Sequence, residues 1–152
     1  MTKVYIGADH GGFKLKEELK LFIEGLGFEV EDLGAHEMVE FDDYPDYIFP
    51  VAERVASDGD SDSLGVVIGR SGNGEAIAAN KVKGVRAAVC LNFVMAQKAR
   101  EHNAANVLSL GADYIPREEV LHVVKTFLES KFSGDERHKR RIEKIASYEY
   151  SK

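Results

Sequence analysis

A hydroxyl at Ser71 and a carboxylate at Glu75 stand at opposite ends of a glycine-rich stretch, Gly69-Arg70-Ser71-Gly72-Asn73-Gly74-Glu75. Glycines at this density point to positive φ, or to a ligand approaching too closely for a Cβ. Amides at the head of a helix attract phosphate, carboxylate or a developing oxyanion. A base beside an anion site suits proton transfer. The string reads equally well as a tight strand-to-helix connection with a cap, and the glycines by themselves do not choose. It lacks G-x-G-x-x-G, and Gly74-Glu75-Ala76 stands where a P-loop needs Gly-Lys-Ser/Thr, which argues against a P-loop ATPase.

Further groups elsewhere in the chain can join this chemistry. Asp9 and His10 follow an apolar run; Asp9 can accept from a sugar hydroxyl and His10 can donate to a phosphate, although Asp9 as a cap of the next helix reads slightly ahead. Glu75 sits in a first helical turn, where the dipole favours a carboxylate without any function. Its spacing of four from Ser71 misses the capping box. His102 closes a helix that starts at the carboxyl edge of the sheet and runs to the opposite edge. Packing or capping is its default, and a functional His102 calls for a second subunit. Arg137 and Arg141 point almost together on the last helix, beside the stripe of His138, Ile142 and Ile145, and two guanidiniums on adjacent turns can clamp a phosphate. A charge run on one helix more often marks a solvated face. No histidine spacing resembles a metal site, so no metal is expected.

The elements that position these residues follow from hydrophobic periodicity. Strands are expected at residues 4–6, 28–33, 64–68, 85–91 and 107–110. The first helix carries Leu15, Leu19, Phe22, Ile23 and Leu26 inward and ends at Gly27. Residues 34–44 form a polar, acidic loop that can act as lid or rim. Asp46 is expected to cap a helix over 47–57, despite Pro50 inside its early turns, and 58–63 is a polar turn. The helix after the glycine loop runs to about residue 80. Another spans 92–102, with Asn103 as its left-handed cap. Pro116 opens a helix to about 132, and Asp135 caps a charged last helix reaching about 150. Strands alternating with helices and no repeat indicate α/β, a Rossmann-like three-layer α/β/α sandwich with a five-stranded parallel sheet. Ligands in such folds collect outside the carboxyl ends of the strands, near a switch in strand order.

The 152 residues suit a single domain, 1–152, with a net charge of −6 that argues against a general nucleic-acid surface. No apolar run approaches the ~20 residues of a membrane span, and Met1-Thr2-Lys3 leads straight into a strand, so the chain reads as cytoplasmic. Cys90, the one cysteine, is expected to pack in the core.

Four strings in this order, GADHGGFKLK, GRSGNGEAIAANKVKGVRAA, REHNAANVL and ERHKRRIEKI, span nearly the full chain. On them the chain resembles the ribose-5-phosphate isomerase B family, which includes the LacA-type sugar-phosphate isomerases. The resemblance implies cofactor-free interconversion of a phosphorylated aldose and its ketose through an enediol. It also implies a homodimer, with a tetramer as the larger alternative, whose active sites draw on both subunits. By similarity Asp9 and His10 contact substrate, and Arg70, Ser71, Gly72, Asn73 and Gly74 line the anion site. Glu75 is then the base that moves the proton between C1 and C2, His102 assists ring opening with Asn103 beside it, and Arg137 and Arg141 hold the phosphate.

Two departures stand out. Many relatives place a catalytic cysteine where this chain has Gly69, so it looks like the branch in which Glu75 replaces the thiol. A phosphate-binding arginine often follows the fifth strand, where this chain has Asp113. Ribose 5-phosphate and ribulose 5-phosphate lead as the substrate pair, with tetrose or hexose phosphates behind them. A non-catalytic phosphate- or nucleotide-binding module and an inactive partner in a mixed oligomer are the readings from other classes.

Overall fold

The computed structural model describes residues 2–58 and 62–151, so residues 59–61 of the expected polar turn lie outside the described residues. The elements run β1 (Lys3–Ala8), α1 (Phe13–Gly25), β2 (Glu29–Asp32), α2 (Pro45–Ser57), β3 (Leu64–Gly69), α3 (Asn73–Ala79), β4 (Ala87–Val89), α4 (Phe93–Asn103), β5 (Val107–Gly111), α5 (Arg117–Glu129) and α6 (Glu136–Tyr150). All strand pairs are parallel, in the order β2-β1-β3-β5-β4. Because β2 and β3 lie on opposite sides of β1, the order switches there, and the loops leaving β1 and β3 flank the switch. The last two strands cross over: β5, not β4, lies beside β3, which brings the loop after β5 against the glycine loop.

Alternation along the strands makes two cores. Val4, Ile6, Val66, Ile68, Leu108 and Leu110 pack with Leu19, Ile23, Val124 and Phe127 on one face. Tyr5, Val67 and Val107 pack with Val51, Val55, Ala78 and Ala79 on the other. Cys90 is buried, and that burial pushes its thiol up to about 11, in line with a packing role.

Several expected boundaries move. Strand β4 is three residues long, and β2 is shorter than its apolar stretch. Asp46 is not the cap of α2: the helix begins at Pro45 with Tyr44 as N-cap, and Asp46 sits in the first turn. Pro50 is tolerated within it at the loss of one backbone donor. Asn103 is not the left-handed residue after α4. Ala104 takes that conformation (φ 45°, ψ 40°), its amide donates to the Arg100 carbonyl in an αL closure, and the Ala105 amide reaches back to the Ala99 carbonyl. Pro116 precedes α5 rather than opening it, and α5 stops at Glu129, short of 132.

Lys16 is wholly buried, with Nζ 2.6 Å from Asp32 Oδ2 and 2.9 Å from Glu17 Oε2. Burial would push the Asp32 carboxyl up, but hydrogen bonds from Lys16 and Lys20 hold it below its ordinary value. Asp32 Oδ1 also accepts from the Gly34 amide, fixing where the 34–44 loop departs. Asp32→Ala strands a buried ammonium, so we expect a stability loss of about 3 kcal/mol. The check is a fall in urea midpoint at unchanged m; a loss below about 1 kcal/mol would mean that Glu17 alone serves Lys16.

Candidate active site

The glycine loop joins β3 to α3. Gly72 takes φ +83°, a conformation side chains rarely adopt, and serves as the N-cap of α3. Its carbonyl accepts from the wholly buried Ser109 Oγ at 2.7 Å, so β5 holds the loop from beneath. Ser71 Oγ accepts from the Asn73 amide at 3.1 Å. Some of the loop's donors are therefore already committed, which narrows the expectation that all of them converge on a ligand.

Glu75 lies in the first turn of α3 but is not a surface residue held only by the dipole: 4% of it is exposed. Burial raises its pKa, its own amide and that of Gly72 oppose the rise, and the charge of Asp9 adds to it. The carboxylate occupies the volume that a Cβ at position 69 would need. Any side chain at Gly69 collides with Glu75 as it stands. The two positions are sterically linked although six residues apart in sequence.

Asp9 and His10 arrive from β1, the strand beside β3. Asp9 is not the cap of α1. Gly12 holds that position, and Asp9 Oδ1 accepts from the Gly11 amide at 3.0 Å in a local turn. Asp9 is itself buried, which raises its pKa first of all, with the Gly11 amide opposing. Arg70 lies against Gly11 and pairs with Asp113 at 3.7 Å, both side chains well exposed. The Tyr44 ring covers Gly74. Beside the loop, a cavity of about 450 Å³ is lined by Ser71, Asn73, Val89, Leu91 and Tyr114.

The remaining predicted residues gather elsewhere. Helix α4 ends just before β5 begins, so His102 and Asn103 lie at the edge where strands start, opposite Glu75. The His102 ring lies against His138, tilted by 32° with centroids 4.4 Å apart. His138 is buried, its Nδ1 lies 2.8 Å from Ser133 Oγ, and its pKa is lowered by burial, then by His102 and Arg137. Arg137 and Arg141 on α6 are exposed at this same edge. Within one chain the predicted site thus divides in two: Asp9, His10 and residues 70–75 at the carboxyl edge, and His102, Asn103, Arg137 and Arg141 at the other.

Residues 4–145 match the family model described as Ribose/Galactose Isomerase. The chain belongs to the ribose/galactose isomerase family. The ribose-5-phosphate isomerase B of Mycolicibacterium paratuberculosis is 43% identical over 147 residues, covering 97% of this chain and 91% of the relative. The solved Clostridium thermocellum ribose-5-phosphate isomerase B superposes with a TM-score of 0.92 at 46% identity, covering 99% of both chains. That of Mycoplasma genitalium with bound ribulose-5-phosphate gives 0.95 at 40% identity, covering 99% of this chain and 98% of that one. The α/β fold expected from the sequence is that of these isomerases.

Several residues around the two halves escaped sequence reasoning. Arg86 donates to the carbonyls of Asn103 (3.0 Å) and Ala104 (2.8 Å), fixing the turn that carries His102. Ser109 and Tyr44 hold the glycine loop, and Asp42 holds His10. Only Asp42 had a local signal, the acidic character of the 34–44 loop. The others depend on strand order and helix contacts that no local pattern encodes.

Proposed function

We propose that this chain is a sugar-phosphate aldose–ketose isomerase that interconverts ribose 5-phosphate and ribulose 5-phosphate by enediol proton transfer. The observation that carries the reading is the buried Glu75 carboxylate seated against Gly69 at the head of the glycine loop, in a chain of the ribose/galactose isomerase family. A carboxylate with a raised pKa is a suitable base for a carbon-bound proton and can return it to the neighbouring carbon. As the proton leaves C2, charge develops on the C1 oxygen, and loop amides such as those of Ser71 and Gly74 are suited to stabilise it. Ser71, Gly72, Asn73 and Gly74 wall the site, with Asp9 and His10 reaching substrate from β1.

His102 and Asn103 assist ring opening, and Arg137 and Arg141 hold the phosphate, all from a second copy of the chain. The topology supports this, because these four residues cannot join their own Glu75 across the sheet. Exposed Ile77 on α3, Val94 and Met95 on α4 and Ile145 on α6 supply apolar surface for a homodimer, and a tetramer is the larger alternative. Asp113 stands where phosphate would meet a relative's arginine, and its exposed pairing with Arg70 is weak enough for phosphate to displace. Arg70 then supplies the cation at that corner. No helix among the described residues is long and apolar enough to cross a membrane, and the reading carries a cytoplasmic location, no nucleic acid and no cofactor.

A panel of tetrose, pentose and hexose phosphates assayed with the purified chain tests this. Highest kcat/KM on the ribose 5-phosphate pair is expected, with deuterium exchange at C2 marking the enediol route. Preference for a tetrose or hexose phosphate would move the substrate, and absence of turnover on every member would sink the reading.

A further inference from the structure

The loop at 34–44 places one carboxylate on His10 twice. Asp42 Oδ1 accepts from the His10 backbone amide at 2.9 Å and lies 2.8 Å from His10 Nδ1. A carboxylate oxygen already accepting an amide can only accept again, so Nδ1 carries the hydrogen and Nε2 is left for a ligand. Asp9 Oδ2 stands at 3.7 Å from Nδ1, beyond hydrogen-bond reach, and does not compete for it.

We propose that Asp42 is a positioning residue for His10, fixing its Nδ1–H tautomer and leaving the Nε2 lone pair to accept from a substrate hydroxyl. The loop makes two unfavourable local choices in adjacent residues. The Asp42 side chain is 93% buried, being 7% exposed, and its Oδ2 has no hydrogen-bond partner among the described residues. Phe41 before it takes φ +62°, uncommon for a side chain of this size. The paired return is at His10: two hydrogen bonds accepted by Asp42, and the Phe41 ring tilted beside the imidazole at 6.2 Å. The Tyr47 phenol faces the same carboxylate, its pKa raised by burial and then by the Asp42 charge. The oxygens of Asp9 and Asp42 and His10 nitrogen lie within 4.8 Å of one another, and the hydrogen-bond geometry accounts for that closeness.

The inference rests on His10 meeting a hydroxyl of the proposed sugar-phosphate substrate, but its first readout needs no substrate. Ring-nitrogen NMR of His10 in the full chain is expected to show the Nδ1–H form. In Asp42→Ala the neutral ring should return to the Nε2–H form that imidazoles favour in water. Asp42→Asn, which keeps an acceptor without the charge, should retain the Nδ1–H form. With ribose 5-phosphate, Asp42→Ala should raise KM by about fivefold, the weight of one neutral hydrogen bond, at nearly constant kcat. Asp42→Asn should recover most of that loss.

An unchanged His10 tautomer in folded Asp42→Ala overturns the inference even if the isomerase works normally. So does a tautomer change that leaves KM for ribose 5-phosphate unaltered. If no sugar phosphate is turned over, the isomerase reading fails by itself; the hydroxyl arm is then read by calorimetric titration of ribose 5-phosphate, where equal affinity of wild type and Asp42→Ala overturns the inference and weaker binding by the variant supports it.

Discussion

Glu75→Gln is expected to lower kcat on ribose 5-phosphate by about 10²–10⁴-fold, the usual weight of a positioned acid–base group, while sugar-phosphate binding persists. The amide keeps the shape that fits against Gly69 but cannot take the proton. Stability should not fall with activity. Burial raises the Glu75 pKa, so the folded state binds this proton more tightly than the unfolded chain. The resulting stabilisation is fully present below the ordinary glutamate range and is lost as pH rises through the raised folded value. At neutral pH the ionised carboxylate is therefore a cost that Gln removes. The acid limb of the wild-type rate profile should lie above an ordinary glutamate for the same reason. A coupled isomerase assay and a denaturant melt on one preparation check both halves. A variant that keeps most of its turnover would show that Glu75 is not the base, and one that loses activity by unfolding would show that its charge has a structural partner.

Mixing two inactive variants should restore activity. Glu75→Gln disables the carboxyl-edge half of a site and His102→Asn the other half. In a dimer with shared sites, a hybrid of the two carries one doubly altered site and one intact site. Random reassortment makes about half of the dimers hybrids, so about a quarter of wild-type activity should return. Co-expression with two affinity tags isolates the hybrid directly. If each chain built its site from its own residues, the hybrid would be as inactive as its parents. Recovery separates a shared site from a merely oligomeric protein, a distinction that size measurements alone do not make.

Much of the carboxyl-edge half was legible because its signals are local. The β-branched run before Gly69, the glycines after it and the spacing to Glu75 all lie within a dozen residues, and apolar periodicity assigned the five strands and the fold class around them. Cap positions were less legible. Asp46, Asp9 and Asn103 carry residue types that suit caps, yet Tyr44, Gly12 and Ala104 occupy the places expected for them. Helix ends respond to tertiary contacts as much as to residue preference, as Arg86 shows by holding the carbonyls after His102.

By itself, then, the sequence determined the parallel α/β sandwich, the glycine loop with Glu75 at its end, and the separation of His102 from that loop, since each follows from short-range patterning or chain direction. Tertiary structure decided the rest. The placement of β5 inside β4 sets Ser109 under Gly72. Packing of α3 against β3 buries Glu75 and raises its pKa. The fold of the 34–44 loop brings Asp42 to His10 from 32 residues away. Burial and long-range hydrogen bonds depend on which elements become neighbours, and periodicity along the chain carries no record of that.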